Sequence, residues 1–151
     1  MSKIYRHIAG GSDEQIGHID PQHGYVYSAR FGPDKYIGWV NYEKGYVYSH
    51  RLGPDKYLGW VDVTHGKIYA SRFGPDQYLG QVERDGKLYR HVSGGQDTYL
   101  GSLTDMHHPV EGAAALLFFF NDEEAEAGEV ENNDDSADKT KGKPKSNKPS
   151  D

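Results

Sequence analysis

Apolar residues return along this chain in a five-fold rhythm. A tyrosine with an aliphatic residue before it occurs at Tyr5, Tyr27, Tyr48, Tyr69 and Tyr89, behind Ile4, Val26, Val47, Ile68 and Leu88. A glycine follows at Gly17, Gly38, Gly59, Gly80 and Gly101, spaced 21 residues apart each time. Each glycine has an aliphatic residue before it (Ile16, Ile37, Leu58, Leu79, Leu100) and another two places after it (Ile19, Val40, Val61, Val82, Leu103). A fixed period in this range marks a repeat architecture. Each repeat reads as a β-hairpin. A first strand such as "GYVYSHR" is rich in Tyr and Val, which suit a pleated surface. A turn such as "LGPDK" follows, where Pro presets φ and Asp can bond the backbone beyond it. The second strand is of the type "KYLGWVD". The linkers "NYEKG", "DVTHG" and "ERDG" each end in Gly, as a tight turn with one residue at positive φ requires. The outer repeats, "AGGSDEQIG" and "SGGQDTYLG", replace the GPD turn with a longer loop, which pairs the first repeat with the last.

Five hairpins give ten strands of about 5–6 residues, and the fold class is therefore all-β. An open sheet would leave two bare edges, so the strands are expected to close into a ring or barrel. A ring of ten strands is wider than the roughly eight-stranded barrel that side chains alone fill. The segment "MHHPVEGAAALLFFFN" supplies a filler. Pro109 suits a first helical turn, and Glu111 complements the helix dipole. A helix over about 109–120 would be roughly 18 Å long, matching strands of about 17–20 Å. It is apolar on all sides beyond Gly112, as a surrounded helix is. Leu116, Leu117, Phe118, Phe119 and Phe120 are its expected core residues. By the two-residue period of a strand, Gly59 shares a face with Tyr57 and Val61, while Leu58 and Trp60 point the other way. The five glycines then either leave room for the helix or lie beneath tyrosines of the neighbouring strand.

Composition divides the chain in two. Residues 1–120 carry 12 Lys+Arg against 13 Asp+Glu, whereas residues 121–151 carry 5 Lys against 10 Asp+Glu. The near-neutral body gives no case for a nucleic-acid partner. The last stretch has one Val and no aromatic residue, and reads as a disordered charged tail, 121–151, behind one domain, 1–120. Cysteine is absent, which excludes disulfides and thiolate chemistry. The N-terminus has no apolar signal region, and the longest apolar run, 113–120, is too short to span a bilayer. The expected location is the cytoplasm, peripheral to membrane if membrane-associated at all.

The chemistry-bearing residues form no recognised catalytic set. There is no phosphate loop, nucleophile elbow or zinc-protease motif, so the chain reads as non-enzymatic, with no cofactor and no metal. His7, His50 and His91 hold equivalent positions, but Ala29 and Ser71 interrupt the ring. Arg30, Arg51 and Arg72 are also equivalent, and each precedes a turn aspartate (Asp34, Asp55, Asp76) by four residues. They form local ion pairs with it or present guanidinium groups to an anionic partner. Trp39 and Trp60 are replaced elsewhere by His18, Gln81 and Ser102, which points to an outward position, shielding the next hairpin or meeting a sugar or peptide.

Five "Y…GPDKYLGWV" hairpins followed by "GAAALLFFF" make residues 3–120 resemble the β-flower family. That resemblance implies hairpin petals around a central hydrophobic helix. Five petals depart from its four-petal members. The family is similar in shape to tubby-like domains, whose barrel also encloses a helix and which bind phosphoinositides or tether to membranes. By that analogy alone the chain is expected to associate with lipid or membrane, the anionic partner meeting the arginines and Phe118, Phe119 and Phe120. A weaker likeness is to choline-binding repeats of cell-wall proteins, which carry Tyr, Trp and Gly in similar hairpins. The alternative expectation is an adaptor that binds protein or glycan through exposed Tyr and Trp.

Overall fold

A computed structural model describes residues 1–29 and 32–121. The expected tail beyond Asn121 lies outside the described residues, as do Arg30 and Phe31. Ten antiparallel strands run in chain order: β1 Ser2–Arg6, β2 Glu14–Asp20, β3 Tyr25–Ser28, β4 Lys35–Asn41, β5 Tyr46–Ser49, β6 Lys56–Asp62, β7 Lys67–Ala70, β8 Gln77–Val82, β9 Lys87–Arg90 and β10 Thr98–Thr104. Each pairs with its sequence neighbours, and β1 pairs with β10, so the sheet is a closed barrel without an edge. The first and last repeats meet at this seam, with Ile4 opposite Leu103 and Arg6 opposite Gly101.

One helix, α1 (Pro109–Phe119), threads the barrel. Val110, Ala113, Ala114, Ala115 and Leu116 are at most 1% exposed, so the helix is enclosed on every side. Around it stand inward-facing aliphatic residues of every petal, among them Ile4, Val26, Val47, Ile68 and Leu88 on the short strands. Burying each such side chain stabilises the fold by about 1.5–3 kcal/mol, so wall and helix hold each other in place. At Gly112 the helix approaches β8 so closely that a Cβ would lie 2.5 Å from Val82 Cβ.

The strict two-residue alternation fails at one place in every petal. Across β5 and β6, Val47 pairs with Gly59 but Tyr48 pairs with Tyr57, so Leu58 has no partner opposite. The same slip leaves out Ile16, Ile37, Leu79 and Leu100. Each is a β-bulge, which bends the strand and increases its twist. Leu58 therefore packs against the core together with Gly59, and Tyr57 turns to the outer face, where its ring meets Tyr46 and Tyr48. This corrects the expectation that Tyr57 shares a face with Gly59. The bulge carbonyl also ties petals together: Leu58 O accepts from Ser71 N at 2.9 Å, and Ile37 O from His50 N at 2.9 Å.

The glycines sit beside the bulges for a steric reason. A Cβ at Gly59 would collide with Tyr69 O of the next strand and lie 3.1 Å from Leu117 Cδ1. At Gly38 it would meet Tyr48 O and the Phe118 ring, and at Gly17 Tyr27 O and Phe119 Cζ, both at 2.6 Å. At Gly80 and Gly101 the obstacles are backbone atoms alone, Tyr89 O and Tyr5 O being nearest. The helix thus accounts for three of the five glycines, and the neighbouring strand's backbone for all of them. The nearest atoms include tyrosine backbone oxygens and no tyrosine ring.

Candidate functional site

The two ends of the barrel differ in chemistry. The linkers between petals lie at the end where the helix begins, so that Val63, His65 and Glu83 share a hollow with His107, His108 and Pro109. The GPD loops lie at the end where the helix stops, with Phe118 and Phe119 beside Ser28, Tyr36 and His50.

At the helix start the chain buries a carboxylate. Glu111 is 0% exposed. Its Oε1 accepts from Ser2 Oγ at 2.6 Å and from His107 N at 2.8 Å, and its Oε2 accepts from Tyr42 OH at 2.5 Å. Three donors compensate the loss of water that a buried carboxylate otherwise could not tolerate. The first-turn position also suits its charge to the helix dipole. Burial, and the carboxylate it donates to, hold the Tyr42 phenol far above its ordinary range. His108 caps the helix, its Nδ1 accepting from Val110 N at 2.9 Å, and burial pushes its pKa down, against the pull of Glu111. Reading the sequence assigned Glu111 only to the dipole. The available signal was Tyr42, the one tyrosine placed directly after the acid or amide that opens a linker, where Pro21, Val63 and Arg84 stand in the others.

The loop end presents apolar tips. Leu52 is 98% exposed and Phe73 is 93% exposed, on the adjacent β5–β6 and β7–β8 loops. Arg51 is exposed directly before Leu52, Lys35 and Lys56 are exposed where β4 and β6 begin, and Arg72 is half-buried, its Nη1 donating to Ser71 O at 3.3 Å. Arg30 lies outside the described residues. The turn aspartates are held by the barrel wall. Trp39 Nε1 donates to Asp55 Oδ2 and Trp60 Nε1 to Asp76 Oδ2, both at 2.9 Å. His18 Nδ1 lies 3.5 Å from Asp34, and His50 Nδ1 lies 3.6 Å from Asp55. The longer outer loops follow suit, His7 facing Asp13 at 3.2 Å and His91 facing Asp97 at 3.4 Å.

These contacts revise three expectations. The partners given to the turn aspartates are an indole or imidazole, reached from the preceding petal where the indoles are concerned, and the Arg51–Asp55 clamp is not among the described ion pairs. Trp39 and Trp60 do face outward, but each is half-buried and stacked on a tyrosine of the next strand, at 4.3 Å to Tyr48 and 4.4 Å to Tyr69. They act as latches between petals. Phe119 and Phe120 are buried, 8% and 5% exposed, and are not available to a membrane. Phe118 is half-buried.

The mouth at this end is ringed by the residues that follow the repeated tyrosines: Arg6, Ser28, Ser49, Ala70 and Arg90. Arg90 Nη2 donates to Phe120 O, satisfying a terminal carbonyl at the negative end of the helix dipole. Arg6 lies over the Phe120 ring, 5.7 Å from its centre. That side of the mouth is sealed. On the serine side a cleft of about 390 Å³ reaches in to Phe118 and Phe119.

Among the described residues no helix is long and apolar enough to cross a membrane. Compared with protein-family models, curated proteins and solved structures, the chain matches none. What the residues themselves define is a closed ten-stranded barrel of five hairpins with a helix as its core.

Proposed function

We propose that the chain is a non-enzymatic tethering module of β-flower type whose loop end docks on a lipid bilayer. The observation that carries this reading is the near-complete exposure of Leu52 and Phe73 on neighbouring loop tips, each directly behind an arginine. Insertion of such exposed side chains into hydrocarbon recovers about 1.5–3 kcal/mol for each. Arg51 directly precedes the Leu52 tip, Lys35 is exposed at the start of β4 on the same end of the barrel, and each basic residue near an anionic surface contributes about 1 kcal/mol. The aspartates of the same loops are drawn back to the wall by Trp39, Trp60 and the histidines, which leaves the tips and cations foremost.

Co-sedimentation with vesicles containing phosphatidylserine tests this. The protein pellets at low salt, binding weakens as salt rises, and Leu52→Ser with Phe73→Ser abolishes it without lowering the melting temperature. Failure to pellet at low salt overturns the reading. The alternative, an adaptor that binds protein or glycan through Trp39 and Trp60, has less support, because both indole N–H groups are already committed to turn aspartates.

A further inference from the structure

The five petals are near-copies, but the mouth they surround is lopsided. At the position after each repeated tyrosine, the two petals at the seam carry Arg6 and Arg90, which cover the Phe120 ring and carbonyl. The second and third petals carry Ser28 and Ser49, side chains too short to reach across the helix end. Between them the cleft opens, and its floor is apolar: Phe118, Phe119 and Ile37. Phe118 is the single residue from Val110 to Asn121 that is not buried, so this cleft is where the core helix can be touched from outside. Its outer lip carries Lys35 and His50, and Asp55, the acid nearest His50, is already bonded to Trp39. About 390 Å³ is within the usual range of small-molecule sites.

We infer that this cleft binds a single-chain anionic amphiphile. The alkyl chain lies against Phe118, Phe119 and Ile37, the Ser28 and Ser49 hydroxyls flank it, and the acidic head group meets Lys35 and His50. Three features require this class together. The aromatic floor selects an apolar chain. The two serines offer hydrogen bonds near the entrance. The cation on the lip favours an anion over a cation of the same length. The site takes one molecule without a bilayer, so it stands apart from docking by the loop tips.

Sodium decanoate, kept below its micelle-forming concentration, is the probe, with backbone amide shifts of the full chain as the readout. Decanoate shifts Ser28, Ile37 and Ser49 saturably and gives contacts from its chain to the Phe118 ring. Decyltrimethylammonium binds at least about tenfold more weakly, the scale of one charge-assisted contact. Inorganic phosphate alone gives no saturable shift. Ser49→Leu fills the cleft and removes decanoate binding. Lys35→Glu, an exposed change that leaves the barrel folded, weakens decanoate about tenfold and brings the cation level with it. Shifts confined to the Leu52 and Phe73 loops, equal binding of anion and cation, or no saturation overturn the proposal. The Leu52→Ser, Phe73→Ser variant separates the two readings: it loses vesicle binding and keeps decanoate.

Discussion

The two ends of the barrel solve opposite problems. At the linker end the helix begins, and its unpaired N–H groups and the buried Glu111 are all supplied with partners: Ser2, Tyr42, His107 and the His108 cap. At the loop end the helix stops, and apolar surface is left showing at Leu52 and Phe73 and, in smaller part, at Phe118. The polar groups around the buried Glu111 at the first end serve the fold. At the second, the aspartates, tryptophans and histidines serve the fold, while the Leu52 and Phe73 tips stay almost fully exposed. A fold that satisfies a buried carboxylate three times over at one end, yet leaves a phenylalanine 93% exposed at the other, concentrates its unassigned surface at that other end.

Several changes test this contrast. The largest effect is expected between the ends: Leu117→Asp places an unpaired charge in the shared core and unfolds the barrel, a loss beyond about 4 kcal/mol. Denaturant unfolding checks it, and an unchanged midpoint would mean the helix is not the core. Next, Glu111→Ala strands the Tyr42 and His107 donors, while Ser2 Oγ keeps Asp105 O, and costs about 3 kcal/mol; Tyr42→Phe removes one donor and costs about 1–2 kcal/mol. Equal stability of both variants with wild type would remove the linker end from the comparison. Third, Gly59→Ala drives a Cβ into Tyr69 O and costs about 1–3 kcal/mol. Gly53→Ala, at an open loop tip, carries only the strain of its positive φ, about 1–2 kcal/mol, and shifts vesicle binding more than melting.

The smallest effect is a pH dependence. His108 has a folded pKa below its ordinary 6.5, because burial disfavours the imidazolium, and its neutral Nδ1 is the acceptor of the helix cap. The unfolded chain then binds the proton more readily than the folded one, so stability is full above about 6.5 and falls as pH drops toward the folded value. Glu111 and Tyr42 face this ring, and His65, Glu83, Arg84 and His107 line the same hollow. Urea midpoints measured from pH 7.5 down to 5 record the fall, and His108→Asn, which keeps an acceptor at the cap, flattens it.

Much of this architecture was legible in advance because it rests on local rules. Tyrosines and aliphatic residues at a fixed spacing define short strands, a glycine closes each linker (Gly45 has φ 77°), and an apolar run behind Pro109 makes a helix enclosed on all sides. Pairing of the unlike first and last repeats followed from their shared longer loop. The site was less legible. Leu116, Leu117, Phe119 and Phe120 are buried, as the enclosed helix requires, but nothing in the apolar run marks Phe118 as the one left at a cleft. Arg51 and Asp55 look paired by spacing, yet Asp55 is reached by Trp39 of the previous petal, 16 residues away.

The sequence alone determined what depends on neighbours along the chain: strand positions, turn chemistry, the helix and the need to close the ring around it. Only the tertiary structure decided what depends on neighbours across it. A bulge at Leu58 and its four equivalents turns Tyr57 outward and sets which side chains meet between petals. Ring closure brings Ser2 to Glu111 across 109 positions, and arginines at two of the five mouth positions close one side of the helix end while serines leave the other open. Repeat periodicity carries no information about such contacts, because register and closure are set by the packing of the whole wall against one helix.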